Sequence, residues 1–151
     1  MTILTEKTPV HEMTDSEMVQ HIYSHLKEQD GPCLAPDPVT MMSCRYHFKN
    51  LACAVGCLVP EEIYIEDMEF KGLDGFWTPK FAEVRRFLGL HLKRPKHSAP
   101  YIEETQRVRI LNACQRAHDN YNDVSSHTPW QDYLKTKFET INRVYSLKLQ
   151  I

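Results

Sequence analysis

No stretch of this sequence approaches the roughly 18 to 20 consecutive apolar residues of a membrane-spanning helix, so no membrane segment is expected. The opening residues, MTILTEKTPVHEM, lack both the basic start and the apolar run of a secretion signal. Charge of one sign is also scarce. Eighteen basic against 20 acidic side chains leave a net charge of -2, too little to draw the whole chain to a phosphate backbone or an anionic lipid surface. No Gly-rich phosphate loop, G-x-S-x-G elbow or EF-hand pattern is present, which removes the commonest nucleotide, hydrolase and calcium signatures. Cysteine is odd in number, five. Without an export signal, this argues for reduced thiols in a cytoplasmic protein and against a disulfide framework.

What is present suits one folded unit. A chain of 151 residues, 42% hydrophobic and 25% charged, is long enough for a single core and too apolar for disorder. Residues 1–13 show no periodicity and read as a flexible N-terminal arm, leaving 14–151 as a single globular domain. Thr14 and Glu17 form a capping box, and Met18, Val19, Ile22 and Leu26 then repeat at helical spacing up to Asp30-Gly31-Pro32. GPCLAPDPVT (31–40) holds three prolines and is expected to be irregular. Met42, Cys44, Tyr46 and Phe48 alternate with polar residues, which predicts a hairpin of 42–48 with 51–55, broken by Gly56. Pro60-Glu61-Glu62 then looks like the first turn of a helix. FKGLDGFW (70–77) reads as a packed loop, and helices are predicted from Thr78-Pro79 to Gly89, across 100–121, and from Thr128-Pro129 onward. The expected fold class is α+β, a mostly helical single domain with one short antiparallel β-hairpin.

Candidate chemistry gathers around CAVGCLVPEE (53–62). Cys44, Cys53, Cys57 and His118 could supply a Cys₃His zinc site. The spacing argues against it, because structural knuckles usually bring two sulfurs together through C-x₂-C and here three residues separate Cys53 from Cys57. Alternatively, Cys57 lies at the mouth of the helix predicted from Pro60, where backbone amides would lower a thiol pKa, and His118 with Asp119 could serve it as base and acid. Adjacent helical residues point about 100° apart, so Asp119 is not expected to orient His118 itself. His21 and His25 share a helix face without the glutamate of a zincin motif and are read as surface residues. Glu61, Glu62, Glu66, Asp67 and Glu69 form an acidic cluster that could dock on a basic partner. HLKRPKH (91–97) is a basic loop without aromatic stacking residues, so no nucleic acid is expected.

Cys44-x-Tyr46, CAVGCLVPEE, His118-Asp119, Trp130 and Val144-Tyr145-Ser146-Leu147 together resemble a group of small uncharacterised bacterial and phage proteins. Their mark is Cys-Ala-x-Gly-Cys-Leu-x-Pro followed by acids, with a later His-Asp. The resemblance spans about half the chain and brings no activity with it. It implies that Cys44, Tyr46, Cys53, Gly56, Cys57, His118 and Asp119 form one constellation. The expected function is a small cytoplasmic accessory protein, phage-encoded as the resemblance implies, that acts by binding a host or phage macromolecule, with a protein as the expected partner. The alternative is a cysteine- or zinc-dependent enzyme using Cys53 or Cys57 with His118. No cofactor is expected under the first reading, and zinc is the one considered under the second.

Overall fold

The computed structural model describes residues 8–39, 41–123 and 128–151. Among these, α1 (Asp15–Gln29), α3 (Gln106–Asp119) and α4 (Trp130–Val144) pack on one another, and a short α2 (Ala82–Leu88) lies beside them in sequence between loop segments. The α1 start is the one its residues predict: Thr14 Oγ1 accepts from the Glu17 N–H at 3.1 Å, and Glu17 returns a carboxylate oxygen to the Thr14 N–H at 3.2 Å. Met18, Ile22 and Leu26 of α1 are fully buried with Ile110 and Leu111 of α3 and Leu134 and Phe138 of α4. Trp130 fixes the entry of α4 by donating its indole N–H to the Leu26 carbonyl at 2.8 Å. None of the helices described is long and apolar enough to cross a membrane.

Three two-stranded antiparallel ladders complete the α+β domain: β1 (Leu34–Asp37) with β2 (Met41–Cys44), β3 (His47–Phe48) with β4 (Leu51–Ala52), and β5 (Leu92–Lys93) with β6 (Tyr101–Ile102). The predicted strand of 42–48 is therefore two strands. Its first half pairs backward, Leu34 opposite Cys44, and only its end forms the expected hairpin, His47 opposite Ala52. The break falls at Arg45, whose N–H donates to the Cys33 carbonyl at 3.1 Å. Pro36 sits opposite Met42 in a segment expected to be irregular. A ladder of only two strands leaves each with an open edge, where a missing N–H costs little.

Two further boundaries differ from expectation. Residues 8–13 are not a loose arm: Val10 is fully buried, and Arg107 donates to the Val10 carbonyl at 2.7 Å, to the Met13 carbonyl, and to Asp15 at 3.1 Å. Residues 1–7 of that predicted arm lie outside the described residues. The helix predicted across 100–121 begins only after Thr105, whose hydroxyl caps the Val108 N–H at 3.2 Å. Tyr101 and Ile102 are taken instead by the ladder with Leu92 and Lys93.

Candidate functional site

CAVGC folds as a helical turn that runs on into a short 3-10 helix, Gly56–Leu58. The Cys57 N–H donates to the Cys53 carbonyl at 2.9 Å, and both sulfurs face the backbone of the turn itself. Cys53 Sγ accepts from the Gly56 N–H at 3.3 Å, and the Cys57 thiol donates to the Ala54 carbonyl at 3.1 Å. Glycine is required at 56 by close approach: a Cβ there would lie 2.0 Å from the Tyr46 carbonyl oxygen. Pro60 to Glu62 form a single turn, closed by the Ile63 and Tyr64 N–H groups onto the Pro60 carbonyl, and it does not run on into an α-helix: the next element is a short 3-10 helix, Glu66–Met68. The helix mouth expected to activate Cys57 is therefore absent. Cys57 is 8% exposed, and its neighbours Cys53 and Cys114 are fully enclosed, with burial pushing both their thiols up in pKa.

His118 does not reach that turn as a base. It is fully buried on the last turn of α3, and its Nε2 accepts from the Cys33 N–H at 2.8 Å. An amide can only donate, so the ring proton sits on Nδ1 and is given to Asp119 Oδ1 at 2.8 Å. The expectation that Asp119 could not orient His118 is thus reversed. The 100° argument applies to side chains held along a helix, whereas Asp119 is the final residue of α3 and its carboxylate reaches the Nδ1 edge of the neighbouring ring. The link to the CAVGC turn is Gln115, which the sequence did not single out. Its Nε2 donates to the same Asp119 oxygen at 2.9 Å, while its Oε1 accepts from the Val55 N–H at 3.0 Å.

The cysteine that approaches this pair is Cys44, at the end of β2. Its sulfur, a ring nitrogen of His118 and a carboxylate oxygen of Asp119 all lie within 4.8 Å of one another. Of the four zinc ligands considered, the structure brings together Cys44 and His118. Cys53 and Cys57 do not join them, and Asp119 completes the group. Cys44 and Asp119 border a cleft of about 270 Å³ with Arg45, Tyr46, Phe70, Lys71, Gly72 and Gln115. Arg45 lays its guanidinium 4.4 Å from the centre of the Phe70 ring, and Phe70 is 67% exposed. The Tyr46 hydroxyl donates to the Lys71 carbonyl, and burial raises the phenol pKa. Phe70 was not legible as a surface residue, because FKGLDGFW reads as uniformly packed while only its second aromatic, Phe76, is fully buried.

The acidic cluster divides. Glu61, Glu62, Glu66 and Asp67 are exposed, and Asp67 pairs with Lys80 at 2.8 Å, which holds its carboxyl below the usual range. Glu69 is buried and faces inward. It accepts from the Tyr46 N–H at 2.7 Å, the His47 N–H at 3.3 Å and the Tyr64 hydroxyl at 2.5 Å, so its role is to fix the chain between β2 and β3. His21 and His25 are half-buried, with His25 bonded to Gln29 at 3.0 Å. The chain matches no protein-family model, no curated protein and no solved structure.

Proposed function

We propose that this protein is a small accessory protein that acts by binding another protein through the face carrying the Cys44–Asp119 cleft. The observation that supports this reading is the exposure of large apolar side chains at the cleft and beside it: Phe70 lines the cleft and is 67% exposed, and Met42 on β2 is 45% exposed. Met42 and Cys44 are two apart on β2, so both stand on one face of that ladder. An exposed aromatic ring with an arginine over its face, as Phe70 has in Arg45, brings together the aromatic and guanidinium groups that binding hot spots favour. The exposed acids Glu61, Glu62, Glu66 and Asp67 would form a charged surface for a basic partner. Nucleic acid and membrane are not part of this reading.

A cysteine- or zinc-dependent activity is the second reading, favoured by the convergence of Cys44, His118 and Asp119. Turnover through the thiol would need a group to take its proton, and the lone pair of His118 Nε2 is already occupied by the Cys33 amide. The binding reading is tested by affinity capture with three chains: wild type, Phe70→Asp, and Val144→Asp, which alters an apolar residue on α4 that is 62% exposed. The expected outcome is a protein retained by wild type and Val144→Asp and lost by Phe70→Asp, with a loss of about 2 kcal/mol or more, roughly thirtyfold in affinity. Capture of the same proteins by all three chains, or of none, would count against it.

A further inference from the structure

We propose that a second cleft, between α2 and His11, is a binding site for a small phosphate monoester, with Arg85 and Arg86 holding the phosphate group and the organic part of the ester lying on an apolar floor. This cleft shares no lining residue with the Cys44–Asp119 cleft, and its role does not depend on the partner-binding reading. Its volume is about 440 Å³, within the roughly 300 to 1,000 Å³ of small-molecule pockets. Arg85, Arg86, His11 and His91 line it, and no acidic residue does. The local fold concentrates these groups in a chain whose net charge is only -2. Gly89 ends α2 in a left-handed turn, φ +79°, that returns His91 to the wall carrying the two arginines. His11 lies against that turn: a Cβ at Gly89 would sit 3.4 Å from the His11 Cβ.

The residue that points to an anion is Arg85. It is 9% exposed, and its Nη1 donates to the Phe76 and Thr78 carbonyls, each at 2.7 Å. Those bonds fix the side chain and leave its charge uncompensated. Lys80, Lys93, Arg107 and Arg109 pair with Asp67, Glu103, Asp15 and Glu104, whereas neither Arg85 nor Arg86 has a carboxylate partner among the described residues. Burial, and then the charge of Arg94, pull the Arg85 pKa down, as expected for a cation enclosed without a counter-charge. Enclosing an unpaired guanidinium is costly, and an anion in the cleft removes that cost. With Nη1 engaged, Nε and Nη2 keep three N–H groups, and neither atom is sealed from solvent. Nε–H and one Nη2 proton form the fork that grips two oxygens of a phosphate. Arg86 is exposed on the same wall and supplies a second charge. Two guanidinium groups match a phosphate monoester, with its charge of about -1.5 to -2 at neutral pH, better than a singly charged carboxylate. His11 faces Glu12 at 3.8 Å, so His91, with no acidic partner among the described residues, is assigned the third contact. Leu90, buried, and Leu92, half-buried, give the organic part an apolar floor.

The test is a calorimetric titration of the full chain with phenyl phosphate, inorganic phosphate and benzoate in a chloride buffer. Expected is one phenyl phosphate bound per chain. Inorganic phosphate should bind at least about fivefold more weakly, because it leaves the floor bare, and benzoate at least about tenfold more weakly, because it brings about half the charge. Arg85→Lys keeps the charge and loses the fork, so it should weaken phenyl phosphate binding at least about tenfold, and Arg86→Ala at least about fivefold. Lys135→Ala, at an exposed position of α4, should leave it unchanged. Circular dichroism on each variant establishes that it is folded; if Arg85→Lys is not, Arg86→Ala and His91→Ala decide, each with a loss of at least about fivefold. No binding of phenyl phosphate to wild type at about 10 mM, benzoate bound as tightly as phenyl phosphate, or an affinity unchanged by the arginine substitutions would each overturn the proposal.

Discussion

At the scale of single residues, Gly56 and His118 decide how the site is built. Gly56 has ordinary backbone angles, so its need for glycine comes from contact with Tyr46 and not from a left-handed turn. The Tyr46 peptide cannot retreat, because its N–H is held by Glu69 at 2.7 Å and its carbonyl accepts from the Cys53 N–H at 3.1 Å. Gly56→Ala should therefore destabilise the fold by about 2 to 4 kcal/mol, read as a lower urea midpoint; an unchanged midpoint would contradict this account of the corner. The glycine was legible in the sequence as a break between elements, but its reason was not, since nothing local in CAVGC signals that Tyr46 passes over it. The same holds for His118. Its neighbour Asp119 was visible, whereas the Cys33 amide that fixes its tautomer lies 85 residues away in sequence.

Among the elements, the helices were largely legible and the strands only in part, the hairpin end at His47–Phe48 and Leu51–Ala52. The start of α1 is encoded locally by Thr14 and Glu17, and that capping box has a testable pH signature. The Thr14 N–H, and then its hydroxyl, hold the exposed Glu17 carboxyl below its ordinary value of 4.5. A carboxyl with a lowered folded value contributes stability that is present above its unfolded value and lost as pH falls through the folded one. Glu17→Gln should therefore lower the thermal midpoint slightly at neutral pH and leave it nearly unchanged in acid, so that the two melting curves converge below pH 4.5. A difference that stays constant across the titration would speak against the box. Strands β1 to β4 span only two to four residues each, too short for alternation to fix their partners. Tertiary contacts fix them instead. Gln29, at the end of α1, presents its amide to the backbone of Ala52, donating at 2.9 Å and accepting at 2.8 Å. Glu69 holds Tyr46 and His47 by accepting from both of their N–H groups, which is why an acid expected on the surface is buried.

For the whole molecule, the constellation implied by the cysteine motif and the His-Asp pair forms a connected arrangement, but with a different centre. The CAVGC turn, the β1–β2 ladder and the end of α3 meet through Gln115, Asp119 and His118, and the cysteine at that meeting is Cys44. Motif density pointed to Cys53 and Cys57 because two cysteines around a glycine look like chemistry; their sulfurs in fact hold the turn together. The most direct check is the alkylation rate of each of the five thiols in the native protein, resolved by peptide mass spectrometry. Cys44 is partly exposed, while Cys33, Cys53, Cys57 and Cys114 are buried, and burial pushes the Cys33 thiol to about 12. Cys44 should be labelled at least about tenfold faster than any other, and the remaining four should react only after unfolding. Labelling of Cys53 or Cys57 as fast as Cys44 would return the chemistry to the CAVGC turn and contradict the site described.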